Sequence, residues 1–127
     1  MGTGQRPRVL LVEDDADNCE ALGTLLRHVG YVVVCARTGH EALAAFHAFA
    51  RPSVVILDLL LPDMSGYELY ADLRANALAR QIPVVIYTGV SNPDALPGAF
   101  ALVRKGESPD HLLAMIAAAC AGCADIA

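Results

Sequence analysis

The sequence has no tryptophan, an aromatic content of only 6%, and just 18% charged residues. So little charge, set beside 55% hydrophobic residues, excludes a disordered chain and leaves ample apolar matter for a core. Clustered lysine and arginine are also missing, and the formal net charge is −5. This argues against a nucleic-acid surface, because phosphate contacts need grouped basic side chains. No apolar run approaches the roughly 18 residues of a membrane span. The stretch 54–61 is broken by Asp58, and 112–121 is too short. Arg6 and Arg8 are followed only by the short run 9–12, which reads as a strand rather than the apolar centre of a secretory leader. A cytoplasmic protein without a membrane segment is expected. The cysteines, Cys19, Cys35, Cys120 and Cys123, are then expected as thiols. Cys120 and Cys123 form a C-x-x-C pair, but at the end of an expected helix. A redox pair would sit at a helix start, and no further ligands complete a zinc site.

What is present is alternation. The chain is 127 residues long, which suits one domain. A continuous apolar run marks a buried strand at 9–12. Leu22, Leu25, Leu26 and Val29 recur at three and four residues, predicting a helix over 17–29 that Gly30 stops. A β-branched strand follows at 31–35. Thr38 and Glu41 form a capping-box pattern opening a helix to about residue 50, with Ala42, Leu43, Phe46 and Phe49 inward and Pro52 ending it. Further strands are expected at 54–57, 83–87 and 100–103. Helices are expected over 66–76, with Leu69, Leu73 and Tyr70 inside, and over 109–121, opened by Pro109. Alternating strands and helices imply a parallel sheet covered on both faces, with ligands bound beyond the carboxyl ends of its strands. The domain is expected over 8–121, between tails 1–7 and 122–127.

At those carboxyl ends stand Glu13-Asp14-Asp15, Asp58, Thr88 and Lys105. Singly, each has a plain explanation: a capping acid, a turn aspartate, a turn threonine, an exposed lysine. Together they are coherent chemistry. Grouped carboxylates repel one another and recruit a cation. Mg²⁺, a hard ion preferring oxygen, suits them. A carboxylate beside it can accept a phosphoryl group as an acyl phosphate, with Lys105 and Thr88 holding phosphoryl oxygens.

These residues carry a resemblance. The runs Val9-Leu10-Leu11-Val12-Glu13-Asp14-Asp15, Val55-Ile56-Leu57-Asp58-Leu59-Leu60-Leu61-Pro62-Asp63-Met64-Ser65-Gly66 and Pro83-Val84-Val85-Ile86-Tyr87-Thr88-Gly89, then Lys105 followed by Ser108-Pro109, resemble the receiver domains of two-component signalling over about 8–121. The resemblance implies a doubly wound five-stranded parallel sheet of order 2-1-3-4-5. It implies Asp58 as phosphoacceptor and Asp14 as a direct Mg²⁺ ligand. Glu13 would act through water, and the Leu60 carbonyl would complete the set. Thr88 and Lys105 would hold the phosphoryl group. The implied donor is a phosphohistidine on a sensor kinase or phosphotransfer protein, and a second copy of the chain is a further partner to consider. Conformational switching, not turnover, would be the output.

The sequence departs from the pattern. Leu102 occupies the position, three before the lysine, where the family usually has a switching aromatic. Gly106 replaces the usual proline after the lysine. The stretch between Thr88 and Lys105 is short and holds Pro93 and Pro97. Since proline inside a helix costs about 3 kcal/mol, the fourth helix of the family is expected to be shortened or absent. Leu60 and Val90, being apolar, cannot orient a hydrolytic water, so slow self-dephosphorylation is expected. Two rivals remain open. One is a receiver-like interaction domain that works without phosphorylation. The other is a phosphohydrolase of the haloacid-dehalogenase type, which would need an acid at position 60 where Leu60 stands. No output domain is expected after residue 121, so the receiver either stands alone or is a piece of a longer chain.

Overall fold

The computed structural model describes residues 6–48, 51–76 and 79–126, with side chains to 121. Five strands, β1 (Arg8–Val12), β2 (Val32–Ala36), β3 (Val54–Leu57), β4 (Val84–Thr88) and β5 (Ala101–Arg104), pair in parallel in the order β2-β1-β3-β4-β5. The expected topology is therefore the observed one. Helices α1 (Ala16–Val29), α2 (Gly39–Ala48), α3 (Gly66–Ala75) and α4 (Pro109–Ile126) cover the sheet, and Ala79–Gln81 forms a single 3-10 turn.

Strand alternation divides the core in two. Leu10, Val12, Val55, Leu57 and Ile86 face α2 and α3, where they meet Ala42, Leu69, Tyr70 and Leu73. Val9, Leu11, Ile56, Val85 and Val103 face α1 and α4, meeting Leu26, Leu112 and Ile116. All four residues of β3 are buried, as a central strand covered on both faces requires.

Local chemistry sets the helix ends. Asp15 caps α1, its carboxylate accepting the Asp17 and Asn18 N–H groups at 2.8 and 3.0 Å. The Gly30 N–H closes the far end onto the Leu26 and Arg27 carbonyls. Thr38 caps α2 through the Glu41 N–H at 2.9 Å. The expected capping box is modified there, because the Glu41 carboxylate reaches the Arg37 N–H, one residue beyond the cap. Ser65 and Glu68 make a complete reciprocal box at α3. Phe49, expected inward on α2, lies outside the described residues.

One boundary differs in substance from expectation. The last helix continues past residue 121 to Ile126, so most of the expected C-terminal tail is helical. The stretch is rich in alanine and free of proline, and the helix carries on through Gly122. Cys120 lies on this helix against the α1–α4 side of the core, and Cys123 is outside the described side chains. The other boundaries move by one or two residues.

Between β4 and β5, residues 89–100 form bends and turns and no helix. Side chains of α3 hold this segment. The Tyr70 hydroxyl donates to the Pro97 carbonyl at 2.6 Å, and the Asp94 N–H donates to the Tyr67 hydroxyl at 2.8 Å. Gly98, at φ +87, lies against Arg74, whose guanidinium would be 2.6 Å from any Cβ built there.

Candidate functional site: an acidic centre bridged by lysine

The site is built at the carboxyl edge of the sheet. Ladder bonds carry past the strand ends and fix its backbone: Glu13 N–H to the Ala36 carbonyl at 2.9 Å, Asp58 N–H to Val12 at 3.1 Å, and Lys105 N–H to Thr88 at 2.9 Å. One carboxylate oxygen from each of Glu13, Asp14 and Asp58 falls within 4.8 Å of the others. Glu13 and Asp58 are buried, and Asp14 is exposed. The Lys105 ammonium bridges the two buried acids, 2.6 Å from Glu13 Oε1 and 2.8 Å from Asp58 Oδ2. It also lies 5.7 Å from the centre of the Tyr87 ring, which supports the cation from beneath.

The electrostatics follow from burial and pairing. Burial pushes the Glu13 carboxyl up, and Lys105 offsets part of that rise. Burial alone would lower the Lys105 ammonium, but its hydrogen bonds and attraction to Asp58 and Glu13 outweigh this and leave it above its ordinary value. The centre thus concentrates negative charge around one cation, with a carboxylate left over. All three acids are hard oxygen donors within reach of one ion, a set that fits Mg²⁺.

The loop after β3 is tightly held. Asp58 Oδ1 accepts the Leu60 N–H at 3.1 Å. Leu60 bridges to Ser65, and the Gly66 N–H returns to the Leu59 carbonyl at 3.0 Å. Gly66 is required here: a Cβ would stand 2.5 Å from both the Asp58 carbonyl oxygen and Leu59 Cα. The Leu60 side chain is 64% exposed, pointing an apolar surface outward beside the acids.

Glu13, Asp14, Asp58 and Lys105 are therefore brought together as the sequence suggested. Thr88 lies at the next strand end, fully buried, but its hydroxyl accepts the Val90 N–H at 3.1 Å. Asp15 stands apart as a helix cap whose own N–H reaches Glu13 Oε2 at 3.3 Å. Sequence reasoning missed the supporting layer. The Arg37 guanidinium donates to the Asp14 carbonyl, and the Cys19 thiol donates to the Glu13 carbonyl at 3.1 Å. Asp63 accepts the Gly39 and His40 N–H groups at 2.8 and 3.0 Å and also bonds the His40 ring, tying the loop to α2. Contacts to backbone atoms leave no spacing signal; only Asp63, within the loop motif, was visible in advance.

Fold and site together define the class: a doubly wound α/β domain with an acidic, lysine-bridged centre at the carboxyl edge of its sheet. The chain belongs to the response regulator receiver domain family, whose model matches residues 9–117. A probable transcriptional regulator ycf27 of Guillardia theta is 36% identical over 118 residues, covering 89% of this chain and 45% of that protein. The chain spans about half the length, or less, of the curated relatives it matches first. Among solved structures, the signal receiver domain of a signal transduction histidine kinase from Syntrophus aciditrophicus superposes with a TM-score of 0.82 at 30% identity, covering 91% of each chain. The response regulator TrrA from Thermotoga maritima, solved with Mg²⁺-BeF, gives 0.80 at 28% identity, covering 89% of this chain and 98% of that one. The chain is thus a phosphoacceptor module of two-component signalling. Among the described residues, no helix is long and apolar enough to cross a membrane.

Proposed function

We propose that Asp58 is the phosphoacceptor of this receiver and that Mg²⁺ is held by Asp14 and Asp58, with Glu13 acting through water and the Leu60 carbonyl completing the set. The observation that carries this reading is the Lys105 ammonium bridging Glu13 and Asp58 inside the three-carboxylate cluster. Bound Mg²⁺ would neutralise charge on the incoming phosphoryl group. An Asp58 oxygen attacks phosphorus on a phosphohistidine, the P–N bond breaks, and the imidazole nitrogen keeps the electron pair. Lys105 exchanges part of its carboxylate pairing for a phosphoryl oxygen. Thr88 turns its hydroxyl to another.

The donor in this reading is a sensor histidine kinase or a histidine phosphotransfer protein, in a cytoplasmic setting. The domain signals without turnover: an aspartyl-phosphate hydrolase would need a proton-transferring group two residues after Asp58, and Leu60 has none. Leu60 and Val90 also leave the hydrolytic water unoriented. The phosphoryl group is therefore expected to persist well beyond seconds at room temperature, measured by loss of the phosphorylated mass after donor removal. Decay within seconds contradicts that expectation.

The reading is tested by incubation with phosphoramidate and Mg²⁺, followed by peptide mapping. A hydroxylamine-sensitive phosphoryl group on the peptide holding Asp58 supports it. Mg²⁺ binding without any such adduct favours the receiver-like domain that works without phosphorylation.

A further inference from the structure

Leu102 removes the aromatic side chain that could change rotamer beside Thr88, yet the strand end still offers a route outward. Thr88 and Arg104 are register partners in the β4–β5 ladder, so their side chains leave the same face of the sheet. Leu102 shares that face, opposite Ile86. The Val90 peptide groups sit between them. The Val90 N–H is held by the Thr88 hydroxyl at 3.1 Å, and the Val90 carbonyl accepts from the Arg104 guanidinium at 3.3 Å. One residue is thus gripped at both polar backbone groups, from β4 and from β5. Val90 also packs its side chain against the α2–α3 side of the core. Lys105, next along the chain from Arg104, binds Asp58.

We propose that Arg104 is a positioning residue that holds the 88–90 turn and carries the movement of the Thr88 hydroxyl to the outer face of β5 around Leu102. The inference rests on Asp58 being the phosphoacceptor. In the resting form the Thr88 oxygen is committed to the Val90 N–H. A phosphoryl group on Asp58 is a strong acceptor for the Thr88 O–H. As that oxygen turns, the Val90 N–H either follows it or is released. Either way the peptide tilts, and its carbonyl moves the guanidinium that holds it. Arg104 is exposed at the strand end, and Leu102, 38% exposed, is the next side chain on that face. Leu102 lines an open pocket of about 290 Å³ together with Ile86, Leu96 and Ala99, so its side chain borders free space into which it can turn. Arginine suits the task because its planar fork of donors can keep hold of a carbonyl through a small rotation.

The test uses the full chain, a small acyl phosphate and Mg²⁺, with intact mass reporting Asp58 and NMR reporting the Val90 amide, the Arg104 Nε–H and the Leu102 methyls. In the wild type all three signals shift together with the mass gain. Arg104→Ala, an exposed change that leaves the core intact, keeps the mass gain and the Val90 shift but loses the Leu102 response. Arg104→Lys restores part of it, since an ammonium can meet the same carbonyl. A Leu102 response unchanged in Arg104→Ala overturns the inference while leaving phosphorylation standing. Absence of any mass gain in the wild type overturns the phosphoacceptor reading and this inference with it.

Discussion

The carboxyl ends of β1 and β3 and the connection between β4 and β5 are built by opposite means. At the first, ladder bonds run past the strands, two acids are buried, and Gly66 brings backbone against backbone beneath Asp58. At the second, two prolines keep residues 89–100 out of a helix, and α3 holds the segment by two tyrosine hydroxyls, with Arg74 lying against Gly98. The first region spends its contacts on fixing carboxylates. The second fixes a loop where the family ordinarily has a helix to move. The acidic centre and the β4–β5 connection are therefore held by separate sets of contacts within one fold.

Glycine substitutions separate the two regions most sharply. Gly66→Ala forces a methyl into backbone atoms that no side chain can relieve. It is expected to cost about 3 kcal/mol in urea denaturation, the upper end for overpacking, and to weaken Mg²⁺ binding. Gly98→Ala meets only the flexible head of Arg74, so its cost is the positive φ, roughly 1–2 kcal/mol. Equal costs at the two sites would break the contrast.

Tyr70→Phe removes the hydroxyl on Pro97 while keeping the buried ring. A loss of about 1 kcal/mol is expected, with faster amide exchange confined to residues 93–99. Faster exchange at Asp58 as well would mean the regions are not separate.

The smallest effect concerns acid. The Gly39 N–H, the His40 N–H and the His40 ring hold the Asp63 carboxyl down at about 2, against an ordinary 3.8. A carboxyl lowered on folding adds stability that is fully present above its ordinary value and is lost as pH falls towards the folded one. Wild type and Asp63→Ala should therefore differ in thermal midpoint at neutral pH and converge as pH drops from 3.8 towards 2. A gap that stays constant across that window would remove Asp63 from the account.

Much of this was legible in the sequence, for physical reasons that differ by element. The buried strands announced themselves because a two-sided parallel strand must be apolar throughout, as 54–57 is. Glu13, Asp58 and Lys105 were legible because strand ends converge once the topology is known. The loss of the helix after β4 followed from Pro93 and Pro97. The extent of α4 was not legible, because Gly122 is the kind of residue that ends a helix and the helix runs through it to Ile126. Nor was the grip of Arg104 on the Val90 carbonyl, since a bond to a main-chain oxygen leaves no trace in residue type. Thr88 was placed correctly, while its engagement with Val90 depends on a rotamer that no pattern encodes.

The central claim is that Asp58, within its acidic centre, takes the phosphoryl group. Intact mass after incubation with a small acyl phosphate tests it most directly, run with Mg²⁺, with a chelator, and with Asp58→Asn. A single phosphoryl increment is expected in the wild type with Mg²⁺ and none in the other two. An increment that survives Asp58→Asn, or no increment while Mg²⁺ demonstrably binds, would contradict it.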